Sequence, residues 1–238
     1  MSNADQDRRY TLDRFVSATL EREQRSGVFE LEWDRILDIN LDGEVWIKAG
    51  AMIAYTGAVK FVREGLLDRG LGNLLKKAVG GEGASLTKAS GKGSVFCADA
   101  GKKIILLQLQ GESIFVNGND LMAFEMSLNY DVRMMKKVGA MLAGGFFNVR
   151  LEGHGLVAVT SHYEPLTLPV VPGQQVTTDP NATVMWSGGL TPHIKTDIQF
   201  KTLLGRGSGE SIQMQFDGDG FVVVQPFEEV VLSQQRSG

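Results

Sequence analysis

The residues of this chain best suited to holding a ligand are polar ones at turn-like places. They are Asn117, Asn119 and Asp120 in one segment, Asp179 and Asn181 in a second, and Arg206 within Gly205-Arg206-Gly207-Ser208-Gly209-Glu210. Amide and carboxylate side chains converging from two turns could grip a small polar molecule. Glycine-rich backbone beside an arginine could cradle an anion. Each feature also has a structural use. Asn and Asp side chains bond nearby backbone and therefore favour turns. The glycine-rich stretch lacks the GK[ST] of a P-loop and the spacing of GxGxxG, which makes a flexible connector the better account. For both features the structural account is preferred, and the residues stand as candidate ligand contacts beside it.

No catalytic constellation accompanies them. The three histidines, His154, His162 and His193, show no HxH or HxxxH spacing, so no metal ligand is assigned. His154, between two glycines, is expected to be exposed. Ser85-Leu86-Thr87-Lys88 spells SxxK, but that chemistry needs a helix that stacks the lysine one turn from the serine. The pattern here is extended, which sends Ser85 and Lys88 to opposite faces. No G-x-S-x-G occurs either. The lone Cys97 excludes an intrachain disulfide and sits in an apolar run, where a buried, inert thiol is expected. No catalytic residue and no cofactor is assigned.

The bulk numbers narrow the partners. With 43% hydrophobic and 22% charged residues, the chain reads as soluble and globular. A net charge of −4 carries no basic footprint, so nucleic acid is not an expected partner. The pairs Lys76-Lys77 and Lys136-Lys137 read as solvated faces, with anionic lipid contact as the alternative. No stretch approaches the ~20 apolar residues of a membrane helix. Residues 1–10 lack the apolar core of a signal peptide, and a cytoplasmic location is expected. Glycine is abundant at 29 residues and proline scarce at 6, which suits a β-rich fold with many tight turns.

The elements that must position the candidate residues repeat. Lys48-Ala49-Gly50-Ala51-Met52-Ile53-Ala54-Tyr55, Asn117 to Phe124 and Asp179 to Trp186 each lead from a polar or glycine-rich turn to an aromatic residue. A Gly-x-Gly landmark follows each: Gly91-Lys92-Gly93, Gly153-His154-Gly155 and Gly218-Asp219-Gly220. Phe147, Val149 and Leu151, like Ile212, Met214 and Phe216, alternate with polar residues before that landmark, as in strands with one wet face. In the first copy Ser85, Thr87 and Ala89 replace the large residues, and that face either packs against something small or is less buried. The runs after it, such as Phe221-Val222-Val223-Val224, read as strands covered on both faces. The Gly-x-Gly is therefore expected to be a turn between two strands. Asp42-Gly43 carries a hairpin signal, and Phe29, Leu31 and Trp33 alternate with Glu30, Glu32 and Asp34. Helical spacing predicts one short helix over Leu66–Val79 and another over Val132–Leu142. Thr11–Arg25 could add a helical turn or two within a polar arm.

The expected fold is all-β: three pseudo-repeated β-sandwich units with one or two short helices. The expected divisions are an arm over 1–27, a single domain over 28–230 with repeats at about 44–110, 111–174 and 175–230, and a tail over 231–238. Several runs resemble the altered-inheritance-of-mitochondria (mitochondrial biogenesis) family. They are Val116-Asn117-Gly118-Asn119-Asp120-Leu121, Met141 to Val149, Thr178-Asp179-Pro180-Asn181-Ala182 and Gly205 to Ser211, and the likeness spans roughly 28–230. The resemblance implies a fold like the tryptophan RNA-binding attenuation protein, within the double-stranded β-helix class, and self-association into a homo-oligomer. It assigns no activity or catalytic residues, and links its members to inner-membrane organisation. Three functions follow as alternatives: a non-enzymatic oligomeric scaffold with a protein or membrane-surface partner, a small-molecule or RNA-binding module, and an enzyme. RNA binding would bring a steep salt dependence, and an enzyme would need a histidine and a carboxylate together in one pocket.

Overall fold

The structure, a computed structural model, describes residues 10–21, 27–63, 86–134, 147–197 and 211–227. One helix, α1 (Leu12–Thr19), opens the described chain, with the Thr11 side chain accepting from the Arg14 N–H as its N-cap. Strands follow: β1 (Phe29–Trp33), β2 (Ile36–Lys48), β3 (Met52–Arg63), β4 (Leu86–Cys97), β5 (Lys103–Asn117), β6 (Leu121–Glu125), β7 (Leu128–Met134) and β8 (Phe147–Ser161). The last stretch holds β9 (Leu166–Val170), β10 (Val176–Thr178), β11 (Thr183–Ser187), β12 (His193–Asp197), β13 (Ser211–Phe216) and β14 (Gly220–Val224). The all-β expectation holds for the described residues. No helix among them is long and apolar enough to cross a membrane.

Every ladder is antiparallel, and one strand in each stretch serves as the hub. β4 takes β2 and β3 on its two edges. β8 takes β5 on one edge and β6 with β7 on the other. β14 takes β9 and β11, while β13 takes β10 and β12. Two further ladders join these stretches, β2 on β6 and β5 on β11. The result is an eleven-stranded sheet ordered β3-β4-β2-β6-β8-β5-β11-β14-β9, with β1 on β2 and β7 on β8, plus a three-stranded sheet β10-β13-β12.

Aromatic pairs lock the two joints. Trp46 on β2 lies opposite Phe124 on β6, their rings stacked at 6.5 Å between centroids. Phe115 on β5 lies opposite Trp186 on β11, stacked at 5.3 Å. Such pairs add ~0.5–1.5 kcal/mol beyond the area they bury. They also stitch the interior together. Trp46 packs into the cluster of Leu121, Phe124 and Val157, and Phe115 into that of Trp186, Met214 and Phe216.

Several local expectations are corrected. Asp42-Gly43 is no hairpin turn, because β2 runs straight through it, and Gly91-Lys92-Gly93 and Gly153-His154-Gly155 lie inside β4 and β8. These glycines bend strands instead of ending them, with φ of 127° at Gly43, 128° at Gly91 and 122° at Gly153. Only Gly218-Asp219-Gly220 separates two strands, β13 and β14. β5 and β9–β10 cross the expected repeat boundaries at 110 and 174. An irregular step between Leu31 and Trp33 breaks the alternation of β1, turning Glu32 inward and leaving Trp33 48% exposed. Thr87 and Ala89 are buried, so the small-residue face of β4 is packed. Val132 to Met134 belong to β7 and are not helical. The rest of that predicted helix, the one over Leu66–Val79, Ser85 and the tail lie outside the described residues.

Gly91 shows why the bend needs glycine. A Cβ there would stand 2.0 Å from the Ala58 carbonyl oxygen on β3, whereas a Cβ at Gly43, with nearly the same φ, would meet nothing within 4 Å. Gly43→Ala should therefore show backbone strain alone, ~1–3 kcal/mol. Gly91→Ala should add a clash with backbone that cannot swing aside, for a total of roughly 3–5 kcal/mol. Urea denaturation of the two variants tests this, and equal losses would mean that β3 yields freely.

Candidate functional site

The sequence-predicted polar residues gather where β2, β5 and their following turns meet. Asn117 ends β5, and its side-chain oxygen accepts from the Asn119 N–H at 3.0 Å, closing the turn. Its amide nitrogen donates to the Thr183 carbonyl at 3.2 Å, reaching the start of β11. The turn at Asp179 is built alike: its carboxylate accepts from the Asn181 N–H at 2.7 Å, and its carbonyl accepts from the Thr183 hydroxyl at 2.6 Å. Asn117 thus brings the two turns into contact, through backbone. Arg206 lies outside the described residues.

Asp120 sits in a charge cluster. Lys102, 4% exposed, donates to the Asp120 carboxylate at 3.0 Å, and Asp120 is 0% exposed. Lys102 also lies 3.3 Å from the Asn119 carbonyl and 3.7 Å from Asp99. Lys48, at the end of β2, donates to Asp99 at 2.8 Å and to the Asn119 carbonyl at 2.7 Å. The Thr160 hydroxyl on β8 donates to the Asp120 carbonyl at 3.2 Å. Two ammonium groups and two carboxylates balance, as groups removed from water must. Lys102 and Asp99 were missed in the sequence because nothing in their spacing marks them; a tight turn, with Lys102 N–H donating to the Asp99 carbonyl at 2.8 Å, presents them.

Two hollows flank this region. One of about 200 Å³ shares Lys48 and Asn119 with the cluster and is otherwise walled by Leu86, Leu121, Phe147 and Val149. A more open one of about 520 Å³ lies near Asp42, Glu44 and Glu125. Those carboxylates already hold partners: Lys92 at 2.9 Å, Lys88 at 2.9 Å and the Leu156 N–H at 2.6 Å. The histidines stand apart, His154 exposed on β8, His162 stacked on Phe227 and His193 exposed on β12. Beside His154, the Glu112 carboxyl is held below its usual range, first by the Gln110 N–H and to a lesser degree by the histidine. Among the described residues no group of three or more His, Cys, Asp or Glu is placed to hold a metal ion. Burial pushes the Cys97 thiol up to about 12, leaving it protonated and unreactive at neutral pH. The geometry ties segments together and presents no nucleophile with a base.

Comparisons with known proteins agree with the fold. A family model described as mitochondrial biogenesis AIM24 matches residues 29–227. Comparison with curated proteins gives no match. An X-ray crystal structure of a protein from Streptococcus pyogenes is similar with a TM-score of 0.64 and 21% identity, covering 84% of this chain and 92% of that one. At that identity the likeness concerns the fold alone.

The buried pair makes a sharp demand on stability. Asp120→Ala leaves the Lys102 ammonium buried without its main counter-charge and should cost ~3–5 kcal/mol in urea denaturation. The double change Lys102→Met with Asp120→Leu should recover most of that loss. A single-variant loss under ~1 kcal/mol would put the pair in the class of exposed ion pairs.

Proposed function

The chain belongs to the mitochondrial biogenesis AIM24 family, and we propose that it works as a non-enzymatic, self-associating scaffold made of three copies of one β unit. The carrying observation is that the polar residues at the turns tie one stretch of sheet to the next. Lys48 bonds the Asn119 carbonyl across the first joint, and Asn117 bonds the Thr183 carbonyl across the second.

Three further features support the triplication. The same backbone bond closes each stretch: Ala98 N–H to Ala51 at 2.9 Å, Thr160 N–H to Asp120 at 2.7 Å and Gln225 N–H to Ala182 at 2.9 Å. The register slips at matching places, between Met52 and Ala54, Leu121 and Ala123, and Thr183 and Met185. Gly91, Gly153 and Gly218 share φ values of 128°, 122° and 126°. On this reading the copies run 36–97, 103–161 and 166–224, and the turns at Lys48, Asn117 and Asp179 are equivalent.

A second reading, attachment to a membrane surface, draws on α1. Leu12, Phe15 and Val16 with Leu20 just beyond fall on one face, and all four are exposed.

Sedimentation velocity over a concentration series should show species larger than the 25.9 kDa chain. A monomer throughout would overturn the scaffold. One small molecule per chain surviving into native mass spectrometry would favour the binding module. For the membrane reading, flotation with phosphatidylcholine–cardiolipin vesicles should carry the chain upward, and Phe15→Asp should abolish it. Flotation unchanged by Phe15→Asp would remove α1 from the account.

A further inference from the structure

The eleven-stranded sheet ends in two edges that match each other. Its path divides into β3-β4-β2, β6-β8-β5 and β11-β14-β9. At each internal joint the last strand of one triple meets the first strand of the next, β2 on β6 and then β5 on β11. The ends left over are a first strand, β3, and a last strand, β9, whose continuation β10 is also an edge of the small sheet. One chain therefore carries both halves of a joint that it already makes twice.

The register of the missing joint can be read residue by residue. At the internal joints Trp46 faces Phe124 and Phe115 faces Trp186. Counted from the equivalent turns, Thr177 occupies the place of Trp46 and Phe115, and Tyr55 that of Phe124 and Trp186. The hub strands agree: Trp46 is opposite Lys88, Phe115 opposite Arg150 and Thr177 opposite Gln215. We propose that β10 of one copy pairs antiparallel with β3 of a second copy, with Thr177 opposite Tyr55, Val176 opposite Thr56 and Thr178 opposite Ala54. This deepens the self-association reading above and rests on it.

Exposure on β3 supports the match. Phe124 and Trp186 are 0% and 2% exposed, but Tyr55 is 49% exposed and Ile53 beside it 55%. Edge strands are normally blunted with charge or proline. Here Lys60 and Arg63 guard the far half of β3, while Met52 to Val59 carry neither. The buried cluster beneath β3 draws on β1 to β6 and β8 and on nothing from the third triple, so within one chain the joint is not closed. A head-to-tail contact of this kind propagates into a ring or a filament. Threonine in the place of Trp46 and Phe115 removes the aromatic stack, which makes this joint weaker than the internal ones and reversible.

The test uses the full chain in a Cys97→Ala background, with Thr177→Cys and Tyr55→Cys in separate preparations. A short bifunctional maleimide should give covalent dimers when the two are mixed and none from either alone. Tyr55→Lys should raise the dissociation constant at least tenfold while leaving the thermal melt unchanged. Association that persists without mixed cross-links would overturn this interface and leave the scaffold standing. A chain carrying both cysteines that cross-links only within itself at high dilution would mean that the ring closes inside one chain, which also overturns it. A monomer at every concentration removes both readings.

Discussion

A β-strand has two edges of backbone donors and acceptors, and this fold is arranged around strands that satisfy both. β8 is the fullest case, paired with β5 along one side and with β6 and β7 along the other. Fifteen residues of straight strand would extend about 50 Å, too long for a compact body of this size. The strand must bend while keeping both ladders. Glycine allows that at Gly153, as Gly91 does in β4, by adopting a φ that a side chain resists. In the last stretch the chain breaks instead, and β13 and β14 go to different sheets.

Bending fixes what the joints can be. Once each hub strand is saturated, the remaining edges belong to flanking strands, and these meet in pairs. Where they meet inside the chain, an aromatic from each side covers the contact, as with Trp46 on Phe124 and Phe115 on Trp186. Polar tethers secure the same joints at the turn end. Lys48 crosses the first and Asn117 the second. The buried Lys102–Asp120 pair stiffens the turn that receives Lys48, and its neutrality lets it sit beside an apolar hollow.

Much of this was legible in the residues. The aromatics Tyr55, Phe124 and Trp186 stand out as equivalents, and the Asx-type turns at Asn117 and Asp179 follow from side-chain chemistry. Other features were misread for identifiable reasons. A glycine between apolar runs looks the same whether it ends a strand or bends one, so Asp42-Gly43 and Gly153-His154-Gly155 read as turns. Val132 to Met134 have a spacing that suits a helix, yet β8 offers them a ladder, and tertiary pairing overrode the local pattern. Trp33 points outward because a single irregular step in β1 inverts everything beyond it. Lys102 and Asp99 carried no signal, since their partners Asp120 and Lys48 lie far along the chain.

By itself, then, the sequence determined where strands run, which side chains share a face and where turns fall. Those properties follow from alternation and turn chemistry among near neighbours. The tertiary structure decided which strand lies beside which, which charges are buried together and which edges remain open. Tyr55 shows the division most plainly. Its type and position match those of Phe124 and Trp186, but only the long-range pairing leaves it exposed where they are covered. Strand pairing joins residues distant in the chain, and a local pattern records a strand's faces without recording its neighbours.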